Sequence, residues 1–501
     1  MTRPNILFLF SDEHSYRCLS LLDSQTGEPV HTPVLDGLAE QGTNFSNAYC
    51  QSPLCTPSRI CLLTGRSPMT SGGWANESYL RPEIPTIPSV FADAGYSTCL
   101  VGKMHLGGTN QMAGFQHRPY GDLTGRTGHQ RDPLSKRDGG HEIRSRTVDA
   151  GLTEIPESAL QEQVIVRETI AFLREHTAAQ PTTPWFLCAS FSRPHFPLTA
   201  PARFFNRYWP EQVTRPKVGR TGDTAFHPMT VGMAKGFRTE EVSEQEMMRA
   251  RAAYFACVDY LDEMLGDLLH LMDRSGLLDN TVIVYTSDHG EMAGEHGMWW
   301  KNSWHEAAAR VPLIIQTPSQ RRGESSGARV DTPVSLADLF PTLCALADIA
   351  PPDGLEGRDL SNALSAGDEL HAAPVFVDNP LPRWGEGSEH RVVRMGQYKY
   401  VHFRGIGPDL LFDLEADPLE QRNLLEGGTE AQRTVGRQLK TLINDSWDFD
   451  AAEAQRRQDE KLLQDNALPE AARKWGNLYR MPDDRIVAAD TPLYEPRVVS
   501  G

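Results

Sequence analysis

Short apolar runs alternate with amphipathic stretches along most of this chain. Residues 6–10, 98–101, 185–191, 281–286 and 312–316 are rich in Val, Ile, Leu or Phe and show little polar alternation. Parallel strands covered on both faces read this way. Between them, residues 32–41, 87–94, 161–176, 244–272 and 336–347 read as helices. Strand–helix alternation of this kind predicts an α/β domain built on a large, mostly parallel sheet sandwiched by helices. After about residue 364 the pattern changes. Residues 374–378, 390–395, 398–403 and 410–414 read as short antiparallel strands with tight connections, and 429–444 as an amphipathic helix. The expected division is a catalytic α/β domain over 1–364, a smaller C-terminal α+β domain with an antiparallel sheet over 365–450, and a tail over 451–501. That tail is polar, carries Trp475, Tyr479 and Tyr494, and is expected to wrap on the body or on a neighbouring subunit. Residues 107–150 and 213–240 lack periodicity and are expected to be irregular excursions near a site.

Composition adds three constraints. The chain has 501 residues, 39% hydrophobic and 23% charged, ordinary for a globular enzyme. Its net charge of −17 disfavours nucleic acid and anionic membranes as partners, although local cations can still build a pocket for a small anion. The apolar run 6–10 is too short for a signal sequence and is closed by Ser11-Asp12-Glu13-His14, so a cytoplasmic protein is expected. The eight cysteines, at 18, 50, 55, 61, 99, 188, 257 and 344, form no CxxC pairs and are expected to be mostly free, buried thiols.

Two strand ends carry an acidic residue with a polar neighbour. Ser11-Asp12-Glu13 follows the first strand, and Thr286-Ser287-Asp288-His289-Gly290 follows the strand at 281. Ligands of open α/β sheets bind at the carboxyl ends of strands, and two such ends can converge on one divalent metal with oxygen-rich ligation. Taken singly, each pair reads more readily as a cap or turn. Cys55-Thr56-Pro57-Ser58-Arg59, followed by Leu63-Thr64-Gly65-Arg66, is the most distinctive stretch. Read alone, it is a cysteine at a helix start with Pro57 at an early helical position.

That stretch resembles the signature of formylglycine-dependent sulfatases, members of the alkaline phosphatase superfamily. Further matches fall in the family's order along the chain. They are Gly102-Lys103-Met104-His105, Arg193-Pro194-His195-Phe196-Pro197, Lys301 ahead of Glu306 and Arg310, and the segment from Asp409 to Glu420. The resemblance covers most of residues 4–420 and implies an alkaline phosphatase-like fold. It also implies a nucleophile made by oxidising Cys55 to formylglycine, whose hydrate attacks sulfur. By the same resemblance the metal ligands are Asp12, Glu13, Cys55, Asp288 and His289. Glu13 departs from the family's usual Asp, and His289 from its usual Asn. Lys103 and Lys301 would bind sulfate oxygens, and Arg59 would support the formylglycine. His105 would act as base for sulfate release, and His195 with Lys301 would serve the leaving oxygen. Glu306 and Arg310 read as a structural ion pair.

The implied reaction is hydrolysis of a sulfate monoester, which makes the chain a sulfuric ester hydrolase. Its implied cofactors are calcium, with manganese or magnesium as alternatives, and formylglycine. The implied partners are a small sulfate-ester substrate and a formylglycine-generating maturation enzyme, with a homo-oligomer possible in principle. Residues 52–55 and 102–115 resemble choline sulfatases, whereas the tail does not. Choline, alkyl, aryl and sugar sulfates therefore all stay open. The alternative within the superfamily is phosphonate monoester or phosphodiester hydrolysis with the same formylglycine and metal. A non-catalytic binding protein on the same scaffold, and a phosphatase using Thr56 or Ser58 directly, are further readings. The retained Cys55, Arg59, Lys103, His105, His195, Asp288 and Lys301 speak against the first of these, and the second requires activity that survives Cys55→Ala.

Overall fold

The structure is a computed structural model. It describes residues 3–119, 122, 147–364 and 370–466, and the backbone of 478–480 and 486–488. Among these, seven strands form the main sheet: β1 (Asn5–Asp12), β2 (Thr43–Phe45), β3 (Ser97–Gly102), β4 (Trp185–Pro194), β5 (Thr281–Ser287), β6 (Leu313–Gln316) and β7 (Ala328–Val330). Their order is β7-β2-β6-β5-β1-β4-β3. The central strands β5, β1, β4 and β3 run parallel.

Alternate residues of one strand feed two different cores, which explains the unbroken apolar runs. Leu7 and Leu9 of β1 pack with Leu187 and Tyr285 against α1 (Pro33–Gln41), α3 (Gln161–Ala179) and α4 (Glu244–Arg274), the last two supplying Leu173 and Leu261. Ile6, Phe8 and Phe10 face the other way, with Phe186 and Val284, against α2 (Cys55–Thr64) and α5 (Leu339–Leu346). A capping box between Ser243 and Glu246 starts α4.

The sheet is mostly parallel as expected, but the run at 312–316, read as one of its parallel strands, lies antiparallel to β5. A strand buried on both faces has the same composition in either direction, so its connection sets its sense. The chain leaves β5 through residues 288–305 and a short helix, Glu306–Ala309, and re-enters the sheet beside it in the opposite sense. The strands β2 and β7, three residues each, were too short to stand out in the sequence.

The C-terminal strands β8 (Val375–Asn379), β9 (His390–Met395), β10 (Tyr398–Phe403) and β11 (Leu410–Asp413) form an antiparallel meander in sequential order. One face, with Val392, Val401 and Phe412, packs on Tyr49 and Trp304 of the main body. The other, with Val393, Tyr400 and Leu411, packs on Leu439 and Ile443 of α6 (Glu430–Ser446). The expected tail begins as a helix, α7 (Phe449–Asp465), started by the side chain of Asp448. The indole of Trp74 donates to Asp459 at 2.7 Å and ties α7 to the body. Trp475, Tyr479 and Tyr494 carry no described side chain. Residues 213–240 are less irregular than expected and include a helix, Pro228–Gly236. Of the excursion at 107–150, residues 120, 121 and 123–146 lie outside the described residues. All eight cysteines are free and buried.

Candidate active site

The site lies at the carboxyl ends of β1, β4 and β5. Ser11 and Ser287 are register partners, so Asp12 and Asp288 leave adjacent strands side by side. On the other flank the register jumps from Phe10–Ser190 to Asp12–Pro194. This bulge swings the end of β4 inward, as bulges beside active sites do, and the amide of His195 donates to the carbonyl of Asp12 at 3.1 Å.

Cys55 opens α2 on the sheet's second face, entirely buried. Gly65 ends the helix in the left-handed region at φ 63°, where a side chain would be strained. Thr64 returns its hydroxyl to the carbonyl of Ile60 at 2.7 Å. The Leu-Thr-Gly element thus fixes the length of the helix whose first residue is Cys55.

Around the Cys55 sulfur, the structure places His289 Nε2 at 3.2 Å, Lys301 Nζ at 3.3 Å and Asp12 Oδ1 at 3.7 Å. His105 and His195 are its further neighbours. Burial alone would push the thiol up, but Lys301, His289 and Lys103 overcome burial and hold it well below the ordinary thiol range. His195 is pushed well below the usual imidazole value, first by burial and then by Lys103 and Lys301.

Arg59, one helical turn after Cys55, sits one layer behind the sulfur. Its Nε donates to Asp288 Oδ2 at 2.8 Å, its Nη2 lies 3.2 Å from Asp12 Oδ2, and its Nη1 donates to the carbonyl of Lys103 at 2.8 Å. It clamps both aspartates and the start of the Lys103 loop. The ammonium of Lys103 pairs with Asp12.

Asp12, Cys55, Asp288 and His289 each offer one donor atom, and these atoms lie within 4.8 Å of one another. His289 Nδ1 faces the carbonyl of Gly290 at 3.0 Å. That contact makes Nδ1 a donor and turns Nε2 toward the cluster. Two carboxylates, one imidazole and the group at position 55 form a donor set that fits a divalent cation. The Glu13 carboxylate shares a second such group with Asp12 and His195, its Oε2 3.1 Å from Lys301 Nζ and 3.3 Å from His195 Nε2.

A family profile described as Sulfatase matches residues 4–349. The chain belongs to the sulfatase family. A second profile, N-sulphoglucosamine sulphohydrolase C-terminal, matches residues 294–447. The chain is 32% identical to a choline-sulfatase of Rhizobium meliloti, over 90% of this chain and 88% of that protein. It is 30% identical to an arylsulfatase of Clostridium perfringens, over 86% and 92%. Among solved structures, a phosphonate monoester hydrolase of Agrobacterium radiobacter superposes with a TM-score of 0.70 at 25% identity, covering 91% of this chain and 96% of that one. This sulfatase is therefore a sulfuric ester hydrolase with the alkaline phosphatase-like fold.

Sequence reasoning missed several supports of the sulfatase site. The carboxylate of Asp122 accepts the amide of Met104 at 2.9 Å and that of His105 at 3.1 Å, and pairs with Arg118 at 2.5 Å. His105 itself sits at φ 53°, a costly conformation for a histidine. Tyr254, deep in α4, donates its hydroxyl to the carbonyl of Glu13 at 2.7 Å. Arg118 and Asp122 fall in the aperiodic stretch, and Tyr254 is indistinguishable from core, so none carried a signal.

Proposed function

We propose that this sulfatase hydrolyses a sulfate monoester to an alcohol and inorganic sulfate through a formylglycine derived from Cys55. The observation that carries the reading is the ring of His289, Lys301 and Asp12 within 3.7 Å of the buried Cys55 sulfur. In the mature residue, oxygens stand where this sulfur stands, so its contacts represent theirs. A maturation enzyme would oxidise the thiol to the aldehyde, and water adds to give the geminal diol.

One diol hydroxyl attacks sulfur, and the bond from sulfur to the ester oxygen breaks. The departing alcohol oxygen takes its proton on the His195 and Lys301 side. His105 then accepts the proton of the remaining hydroxyl, the carbon–oxygen bond to sulfate breaks, and the aldehyde reforms. Lys103 and Lys301 are fixed cations for the sulfuryl oxygens. Asp12, Glu13, Asp288 and His289, with the residue at 55, would hold the divalent ion. Calcium suits the carboxylates and manganese suits the set with its imidazole, magnesium being the remaining alternative. Bound there, the ion supplies Lewis-acid charge for the nucleophile and the sulfuryl oxygens.

Arg383, on the loop between β8 and β9, lies within electrostatic reach of Cys55 and Glu77. Its neighbour Trp384 donates to the carbonyl of Asn302 at 3.0 Å. We assign the chain to the cytoplasm and to small imported esters. Among the described residues no helix is long and apolar enough to cross a membrane.

The second reading, phosphonate monoester or phosphodiester hydrolysis, draws on His289 and on the similarity to the Agrobacterium radiobacter enzyme. The test compares kcat/KM for 4-nitrophenyl sulfate and 4-nitrophenyl phenylphosphonate in wild type and Cys55→Ala. A sulfate preference that vanishes in Cys55→Ala is expected. A phosphonate preference with the same dependence changes the substrate class and keeps the chemistry.

A further inference from the structure

Lys301 reaches the Cys55 sulfur from a loop whose main chain is strained along most of its length. Between Ala293 and Asn302, six residues sit at positive φ, and four of them are not glycine: Ala293 at 45°, His296 at 52°, Trp300 at 68° and Asn302 at 63°. Residues with a Cβ avoid this region, and they stay there only where surrounding contacts over-determine the backbone. Trp300 and Asn302 flank Lys301 directly, so the position of its ammonium depends on how those two turns are held.

We propose that Glu291 is a positioning residue for Lys301. The inference rests on the sulfatase reading above, in which Lys301 serves the sulfuryl and departing oxygens.

Glu291 is buried two residues after His289. One of its carboxylate oxygens, Oε1, accepts the amide of Ala293 at 2.7 Å and the amide of Trp300 at 2.6 Å. These are two of the four strained residues, and they lie near opposite ends of the loop. Hydrogen bonds from amides to a carboxylate are the stronger, charge-assisted kind. Around this carboxylate the loop closes on itself: the Met292 amide donates to the Trp300 carbonyl at 2.9 Å, and the Gly294 amide to the Met298 carbonyl at 2.7 Å.

The other side of Lys301 is held separately. The Asn302 amide donates to the carbonyl of Pro53, two residues before Cys55, at 3.0 Å, and the Asn302 carbonyl accepts the Trp384 indole at 3.0 Å. Lys301 is thus gripped on its carboxyl side by the Cys55 loop and the C-terminal sheet, and on its amino side by Glu291. Glu295, in the same loop, faces outward instead. It accepts the amides of Lys217 and Val218 at 2.9 and 3.0 Å and lies 3.2 Å from Arg17. Without the Glu291 carboxylate, two amides at strained positions lose their acceptor, and the turn that presents Lys301 relaxes. Glu291 also adjoins the Glu13 carboxylate, so metal content has to be measured beside activity.

The experiment is a double-mutant cycle between the two residues. Wild type, Glu291→Met, Glu291→Gln, Lys301→Ala and the Glu291→Met/Lys301→Ala double variant are co-expressed with a formylglycine-generating enzyme. Bound metal is counted by plasma mass spectrometry. Turnover of 4-nitrophenyl sulfate is normalised to the aldehyde fraction at residue 55. Glu291→Met fills the space without an acceptor and should lower kcat/KM about 10- to 100-fold at wild-type metal content, the usual result of misplacing a catalytic group. Glu291→Gln keeps an oxygen for both amides and should stay within severalfold of wild type. In the Lys301→Ala background, Glu291→Met should cost no more than about 3-fold further, because residues that act through one group are not additive. Equal losses in both backgrounds overturn the proposal, as does wild-type activity in Glu291→Met or a fall in its bound metal. A 10-fold loss in Glu291→Gln overturns it too, and that arm stands even if Glu291→Met does not fold. Failure of the underlying sulfatase reading is separately visible as 4-nitrophenyl sulfate turnover that survives Cys55→Ala.

Discussion

Lys399 of β10 buries its ammonium against Glu306, 2.8 Å away, at the start of the short helix that follows the Lys301 loop. Its second partner is Glu420 at 2.7 Å, and the other oxygen of Glu420 accepts the Glu306 amide at 2.7 Å. Tyr49 adds its hydroxyl to Glu306 at 2.9 Å, and Arg394 of β9 donates to that hydroxyl at 3.1 Å. Arg310 is farther from Glu306, at 3.6 Å. The ion pair expected between Glu306 and Arg310 is thus one spoke of a buried network that joins the C-terminal sheet to the active-site loop.

Removing the hub leaves two buried carboxylates facing each other. Lys399→Met is expected to cost about 3–5 kcal/mol, the usual penalty for orphaning a buried charge. The exposed pair Arg433–Glu430, at 3.1 Å, is the control, and Arg433→Met should cost under about 1 kcal/mol. Urea unfolding of the two variants checks the contrast. A Lys399→Met loss no larger than the control's would contradict the account of how the two parts are joined.

Asp122 is expected to matter for turnover and also for folding, since Asp122→Asn leaves the buried Arg118 guanidinium without its charge partner. It holds the amides of Met104 and His105 and so fixes a histidine in a left-handed conformation. Asp122→Asn keeps the shape, and about a 10- to 100-fold drop in kcat should follow from a misplaced His105. Metal content and the aldehyde at position 55 should be unchanged. A variant with wild-type kcat would remove Asp122 from the site's supporting structure.

Gly102 precedes Lys103 at φ 97°. A Cβ there would stand 2.1 Å from the carbonyl oxygen of Ser190. Gly102→Ala therefore meets both backbone strain, about 1–3 kcal/mol by itself, and a clash with β4. Thermal unfolding should show a clear loss of stability, and surviving enzyme should bind substrate poorly because Lys103 has moved. A neutral substitution would show that the β3–β4 contact is looser than the structure has it.

The fold was legible where burial leaves a direct mark on sequence. The runs at 6–10, 185–191 and 281–286 are apolar because both faces of β1, β4 and β5 face cores. The C-terminal meander was legible through its alternation and tight turns. The direction of β6 was not, since a strand covered on both faces has no sense written in its composition. Neither were β2 and β7, whose pairing partners lie far away in sequence. In the site, Asp12, Cys55, Asp288 and His289 could be named because they close strands or open a helix in a recognisable order. Glu13 was named with them, whereas its backbone angle and its contact with Lys301 are three-dimensional facts. Arg118, Asp122 and Tyr254 act through backbone groups, and a hydrogen bond to a main-chain amide leaves no trace in residue type.

Acid should destabilise the protein through its buried histidines. Burial pushes His296 and His390 down to about 4, and both lie in the aromatic packing around Trp304 and His305 between the two sheets. Unfolded histidine takes a proton near 6.5. Between about 6.5 and 4 the unfolded chain binds more protons than the folded one, so stability rises with pH across that window. Their contribution is fully present above 6.5 and is lost as pH falls through about 4. Unfolding curves from pH 8 to 4 should show this slope, and His390→Phe should flatten it. An unchanged slope would place the acid sensitivity elsewhere.

The central claim is that the working nucleophile is made from Cys55. Co-expression with graded amounts of a formylglycine-generating enzyme yields preparations that differ in the state of residue 55. Peptide mass analysis gives the aldehyde fraction of each, and 4-nitrophenyl sulfate gives its kcat. The account predicts a straight line through the origin, with activity proportional to aldehyde. Full activity in a preparation whose residue 55 is entirely thiol would contradict it.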